Sequence, residues 1–231
     1  MLSSGLVPFL VTVGAFFSHK TLITKCLPIW LLAYRCINLP DTVVPDKTIG
    51  WGLAVSSLGD AALFIETMDG MEPHMKEGFF LLGLIAFFIA HVLYAKAFLT
   101  HCDRHRKELV LPLLGYYTIM MQTILPEAPQ ALHIPIMVYG VIISVMGYAG
   151  INFCFYPVVE EWRKNAFLAL LGALFFIVSD SVLAINKFSP SNAAMFGDSA
   201  ELAVMSTYYA GQLLIALSSI KIDQPEKAKG D

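Results

Sequence analysis

Ala166-Phe167-Leu168-Ala169-Leu170-Leu171-Gly172-Ala173-Leu174-Phe175-Phe176-Ile177-Val178-Ser179-Asp180-Ser181-Val182-Leu183-Ala184-Ile185 is a twenty-residue apolar run with one carboxylate inside it. At 1.5 Å per residue such a run crosses the roughly 30 Å hydrocarbon core of a bilayer. A carboxyl within hydrocarbon costs about 2.5 to 3.5 kcal/mol on insertion scales, so it is rare without a task. Gly59-Asp60-Ala61-Ala62-Leu63 interrupts a second apolar run in the same way. Both obey small-Asp-x-x-Leu.

The rest of the chain extends this reading. Its 231 residues are 57% hydrophobic and only 14% charged, with a mean hydropathy of +0.66, against about 25% charged in a soluble domain. Eight segments are long enough to span: Leu2 to Ser18, Leu22 to Leu39, Thr48 to Ile65, Phe79 to Leu99, Leu109 to Leu125, Ala131 to Phe155, Ala166 to Ile185 and Ala200 to Ile220. Seven spans with a re-entrant start is the alternative, since Ser18 to Thr21 leaves little room for a turn and Lys25 and Arg35 fall in the second segment. Breaks are expected at Pro40 and Pro45, in the acidic Asp69 to Glu77 loop, in the basic His101 to Lys107 loop, and at Pro126 and Pro129. The fold class expected is an all-α polytopic bundle of about eight transmembrane helices. The repeated Asp motif suggests two parallel four-helix halves. Residues 1–220 read as one membrane domain and 221–231 as a mobile cytoplasmic tail.

Charge sets the expected orientation, because Lys and Arg collect on the cytoplasmic side. Arg35, Lys47, Lys96, Arg104, Arg106, Lys107, Arg163, Lys164, Lys221, Lys227 and Lys229 fall on one side, and only Lys20, Lys25, Lys76 and Lys187 on the other. Both termini are therefore expected in the cytoplasm. No basic n-region or cleavage site precedes the first segment, which is expected to be retained. A net charge of -3 offers no footprint for nucleic acid. Cys26, Cys36, Cys102 and Cys154 follow no metal or disulfide spacing and read as reduced packing residues.

The two carboxylates lie at similar depth: Asp60 about 12 residues, roughly 18 Å, into its span and Asp180 about 14, roughly 21 Å, both past the midplane. Other polar groups share that slab. His91 and Tyr94 lie on one face of the fourth segment with Gly83, Phe87 and Phe98. Glu201, Met205, Tyr208 and Gln212 lie on one face of the eighth, with Tyr209 beside them. Ser56 stands one turn before Asp60, within reach of a hydrogen bond. Lys25 begins near the non-cytoplasmic surface. Of the histidines only His91 sits at depth, the others falling in loops or at a helix start, so a three-ligand zinc site lacks its ligands. No GxSxG or HExxH occurs, and no metal or cofactor is expected.

Two buried carboxyls close together favour one acid and one carboxylate, the pair used where a reaction passes through an oxocarbenium ion. In a bilayer, the compatible substrate is a vinyl ether lipid, protonated on its β-carbon and then hydrated. A proton-coupled lipid or small-molecule transporter uses the same two groups, and a receptor-like or scaffold protein needs neither.

Lys25-Cys26-Leu27-Pro28-Ile29, Ser57-Leu58-Gly59-Asp60-Ala61-Ala62-Leu63, His91-Val92-Leu93-Tyr94 with Phe98, Gly172 to Asp180 through Asn186-Lys187-Phe188, and Met205-Ser206-Thr207-Tyr208-Tyr209 with Gln212-Leu213-Leu214 resemble, in order and spacing, the YhhN-like lysoplasmalogenase family. Leu109 to Trp162 matches only in hydropathy, and Gly211 replaces an expected Ala. The resemblance implies an integral membrane hydrolase, in eukaryotes of the endoplasmic reticulum. It would act on lysophospholipids among the membrane lipids, cleaving lysoplasmalogens to a fatty aldehyde and glycerophosphocholine or glycerophosphoethanolamine. By position, Asp60 and Asp180 would be the catalytic pair and Lys25 the phosphate contact. Tyr208 and Tyr209 would line the head-group or vinyl-ether site, and His91, Tyr94 and Gln212 would orient the carboxyls or the water. Nothing in the sequence speaks to oligomeric state.

Overall fold

The computed structural model describes residues 3–38 and 47–220. Each predicted apolar segment becomes a helix: α1 (Ser3–Ser18), α2 (Leu22–Asn38), α3 (Thr48–Glu66), α4 (Pro73–Thr100), α5 (Val110–Ile124), α6 (His133–Phe155), α7 (Arg163–Phe188) and α9 (Ala200–Ser218), with the single turn α8 (Pro190–Ala193) between the last two. The breaks at Pro40 and Pro45 and the tail 221–231 lie outside the described residues. Helices α5, α6, α7 and α9 are each entered through a 3-10 turn (Lys107–Leu109, Gln130–Leu132, Glu160–Trp162, Gly197–Ser199). Such turns satisfy the first N–H groups where no side chain caps them.

Two helix starts lie furthest from expectation. Helix α4 begins at Pro73, not Phe79, because a proline in the first turn is preset for helix and lacks only an N–H that would be unbonded anyway. The acidic loop is shorter accordingly. Helix α7 begins at Arg163, before Ala166. Among the described residues four helical stretches are long and apolar enough to cross a membrane: Thr48–Glu66, Pro73–Thr100, Gln130–Phe155 and Glu160–Phe188. Helix α5 has 15 residues, about 22 Å. Helix α9 is long enough but carries Glu201, Tyr208, Tyr209 and Gln212, which lower its hydropathy.

The helices close into a ring. In order, α2 packs on α3, α3 on α4, α4 on α6, α6 on α7 and α7 on α9, and α9 returns to α2 and α3. Helix α1 lies against α2, and α5 lies outside against α6 and α7. Helices α7 and α9 meet glycine on glycine. A Cβ on Gly172 would fall 2.9 Å from the Gly211 carbonyl oxygen, and one on Gly211 3.1 Å from that of Gly172, so the α7 and α9 backbones touch. At one end the α4–α5 and α6–α7 connections are tied by an isolated bridge between Cys102 and Pro157. There the Asp103 N–H donates to the Tyr156 carbonyl (2.8 Å) and the Val158 N–H to that of His101 (3.0 Å). His101, expected in an open loop, is instead buried, with Nδ1 2.7 Å from the Ala97 carbonyl and its ring against Trp162. All four cysteines are free. Burial pushes the Cys102 thiol up to about 12, which leaves it protonated and unreactive.

Candidate active site

Helical spacing assembles the first half of the site. Ser56 and Asp60 are one turn apart on α3, and Tyr208 and Gln212 one turn apart on α9, so the two pairs face each other where α9 returns to the ring. Asp60 is 3% exposed. The Tyr208 hydroxyl donates to Asp60 Oδ2 (2.5 Å) and lies 3.1 Å from Ser56 Oγ. Gln212 Nε2 donates to Ser56 Oγ (2.5 Å), and the Tyr94 hydroxyl, from α4, donates to Gln212 Oε1 (2.9 Å). Ser56, expected to bond Asp60 directly, reaches it through Tyr208. Gly52 makes room for this chain, since a Cβ there would fall 2.4 Å from the Tyr94 ring.

The second half gathers around Asp180 on α7. The Tyr139 hydroxyl, from α6, donates to Asp180 Oδ2. His91 Nε2 lies 2.9 Å from the Tyr139 hydroxyl and 3.6 Å from Asp180 Oδ2. Its Nδ1 lies 3.2 Å from the thioether sulfur of Met146. Next to Asp180, the Ser181 hydroxyl lies 2.7 Å from that of Tyr116 on α5. Asp180 is the more open carboxylate, its side chain 14% exposed.

Aromatic rings join the halves. Phe176 meets His91 edge-on at 4.7 Å between centroids and Tyr208 at 5.4 Å, and Phe87 packs on both Phe176 and Tyr208. No hydrogen bond joins the two carboxylates among the described residues. Lys25 is half-buried. The Tyr209 hydroxyl donates to its backbone carbonyl (2.9 Å), while the Tyr209 ring packs on Phe9 and Phe16. Close by, Ser57 Oγ is buried without a hydrogen-bond partner among the described residues.

The structure thus brings Asp60, Tyr94, Tyr208 and Gln212 into one hydrogen-bonded net and His91 and Asp180 into another, with Tyr209 and Lys25 flanking the first. Glu201, expected on the same face and in the same slab, is exposed in the first turn of α9 and pairs with Lys20 (2.5 Å). Helical spacing had set its face correctly but not its depth. Lys187, in the last turn of α7, pairs with Glu66 (2.7 Å). Sequence reasoning passed over Tyr139, Met146 and Phe176. The available signal was Tyr139, a phenol within the apolar α6. No cluster of three or more His, Cys, Asp or Glu side chains that could hold a metal ion occurs among the described residues.

Residues 20–219 match the YhhN family. The chain is 32% identical over 239 residues to the lysoplasmalogenase TMEM86A of Bos taurus, covering 95% of this chain and 90% of that protein. It is 32% identical over 241 residues to human lysoplasmalogenase TMEM86A, with the same coverage. Human lysoplasmalogenase TMEM86B matches at 28% over 207 residues, 88% of this chain and 77% of that one. No solved structure matches the chain.

Proposed function

The chain belongs to the YhhN family, and on that footing we propose that it is a lysoplasmalogenase. It hydrolyses the vinyl ether of lysoplasmenylcholine and lysoplasmenylethanolamine to a fatty aldehyde and glycerophosphocholine or glycerophosphoethanolamine. One carboxyl protonates the β-carbon, and the resulting oxocarbenium ion is stabilised by the other carboxylate. That carboxylate also takes a proton from the attacking water, and the hemiacetal collapses to aldehyde and alcohol. The observation that carries this reading is the contact of both carboxylate nets with the same ring, Phe176: His91 meets it on the Asp180 side and Tyr208 on the Asp60 side. The reacting ether belongs beside that ring, where a developing cation is attracted by aromatic faces and by both carboxylates.

The remaining roles follow from the contacts. Tyr208, with Ser56, Gln212 and Tyr94 behind it, holds Asp60. Tyr209 braces the turn of α2 that carries Lys25, and Lys25 meets the phosphate as a point charge. His91 orients the Asp180 side. The chain is a multi-pass membrane protein. We take all eight long helices as spans, with residues 1–220 as one membrane domain, a cytoplasmic tail at 221–231, both termini cytoplasmic, and residence in the endoplasmic reticulum. The lysine and arginine asymmetry supports the orientation.

The test is aldehyde release from a lysoplasmalogen by the purified protein, beside its folded Asp60→Asn and Asp180→Asn variants. Release that needs both carboxyls is the expected result. Movement of a solute or lipid across vesicles without aldehyde would replace this reading with a proton-coupled transporter.

A further inference from the structure

The hydrogens available to each net distinguish the two carboxylates. Around Asp60 the net is built of phenols, a hydroxyl and an amide. An amide nitrogen only donates, so Ser56 Oγ accepts from Gln212 (2.5 Å), and the same oxygen lies 3.1 Å from the Tyr208 hydroxyl. Tyr208 in turn gives its hydrogen to Asp60 (2.5 Å). Tyr94 occupies the amide oxygen (2.9 Å) and holds Gln212 in that orientation. The chain behind Asp60 ends in an amide, which neither takes up nor releases a proton near neutral pH, so Asp60 has no partner there with which to share one.

Around Asp180 the chain runs both ways. A thioether sulfur has no hydrogen to give, so His91 Nδ1, 3.2 Å from Met146 Sδ, carries one. Two arrangements then satisfy His91, Tyr139 and Asp180. In one, His91 is an imidazolium that donates from Nε2 to Tyr139, which donates to an Asp180 carboxylate. In the other, Asp180 is protonated and donates to Tyr139, which donates to the bare Nε2 of neutral His91. The two contain the same hydrogens and interconvert by shifting one hydrogen onto and another off the Tyr139 oxygen.

We propose that Asp180 is the acid of the reaction and that Tyr139 and His91 are its proton relay, with Met146 holding the imidazole in the Nδ1–H form. The proposal rests on the lysoplasmalogenase reading for its substrate and on the hydrogen-bond pattern for the relay. The shared proton moves from His91 through Tyr139 to Asp180 and onto the β-carbon. There the C=C π bond breaks, a C–H bond forms and the oxocarbenium ion appears. Water adds to that ion and loses a proton to Asp60. As the hemiacetal collapses, Asp60 returns the proton to the leaving glyceryl oxygen and the hemiacetal O–H proton passes to the Asp180 relay. The net change is one water consumed. The titratable groups facing His91 are Tyr139 from α6, Asp180 from α7 and Tyr94 on α4 itself. Tyr116 of α5 lies beyond Asp180, and Tyr208 and Asp60 lie across Phe176.

The experiment uses the full-length purified protein and the variants His91→Gln, Tyr139→Phe, Asp60→Asn and Asp180→Asn, each checked for folding by thermal melting. Two readouts are taken. One is the pH profile of kcat on a lysoplasmalogen. The other, recorded without substrate, is the infrared C=O stretch of the protonated carboxyl, assigned to Asp180 by its loss in Asp180→Asn. In His91→Gln the alkaline limb of kcat and the titration of the band both move down by about one pH unit or more, with KM unchanged. Tyr139→Phe lowers kcat by about 100-fold, again at constant KM. A folded His91→Gln whose band titrates as in the wild type overturns the relay, whatever its activity. An alkaline limb that vanishes with Asp60→Asn and survives in Asp180→Asn overturns the assignment of the acid. A protein that releases no aldehyde, yet whose Asp180 band shifts in His91→Gln, keeps the shared proton and loses the lysoplasmalogenase reading alone.

Discussion

Asp60 and Asp180 sit in the same local sequence, small-Asp-x-x-Leu within an apolar helix, yet they are held by opposite kinds of chain. Asp60 accepts from a phenol backed by a hydroxyl and an amide, in a chain drawn from α3, α4 and α9, whereas Asp180 shares its proton with an imidazole from α4 through a phenol from α6. Identical motifs therefore do not make identical groups. Role is set by what two other helices bring to each carboxyl, and only the closed ring brings it.

The sharpest way to break this comparison is to remove each carboxyl in turn. Asp60→Asn and Asp180→Asn should each lower kcat by roughly 10³-fold, within the range for general acid–base groups. In pH profiles of the residual activity, the first variant should lose the acid limb and the second the alkaline one. Identical profiles for the two would erase the distinction.

Tyr208→Phe is gentler. It takes away the donor to Asp60 and strands a buried carboxyl, so a loss of about 1 to 3 kcal/mol in stability is expected, with kcat reduced and the alkaline limb left in place. A displaced alkaline limb would mean that the two nets titrate together.

Gly172→Ala should act on stability alone. Its Cβ would meet the Gly211 carbonyl and the Ile215 backbone nitrogen, both at 2.9 Å, an overpacking cost of about 1 to 3 kcal/mol, visible as a lower Tm. An unchanged Tm would show that α7 and α9 can part without penalty.

Smallest of all is Glu127→Gln, outside both nets. The hydroxyl and backbone N–H of Ser191 hold the Glu127 carboxyl below its usual range. Its contribution to stability is present above the unfolded pKa and fades as the pH falls through the lowered, folded one. The Tm difference between wild type and variant should therefore shrink toward acid pH, with both limbs of kcat untouched.

Much of this architecture was open to reading in the chain itself. Eight apolar runs separated by Pro and charge could hardly be anything but helices, and errors arose only at ends such as Pro73 and Arg163, where polar residues extend an apolar core. Asp60, Tyr94, Tyr208 and Gln212 stood out because each is a polar intrusion at helical spacing in an apolar face. Tyr139 did not, since one phenol among Ile, Met and Gly looks like packing. Met146 was invisible for a deeper reason: a thioether is apolar to any hydropathy scale, and its meaning arises only once an imidazole nitrogen is seen against it. Glu201 misled because periodicity reports azimuth and not height along the axis.

The glycine contact between α7 and α9 bears on how a lipid gets in. Two backbones that touch have no side chains between them to swing aside, so these helices travel as one rigid body and the seam between them is shut to an acyl chain. Access is better sought where helices meet through side chains only. At α5, which buries Ile124 alone, the hydroxyls of Tyr116 and Ser181 form a small latch beside Asp180. A single-chain lipid sliding in from the bilayer past that latch would present its ether to the acid before the rest of the site.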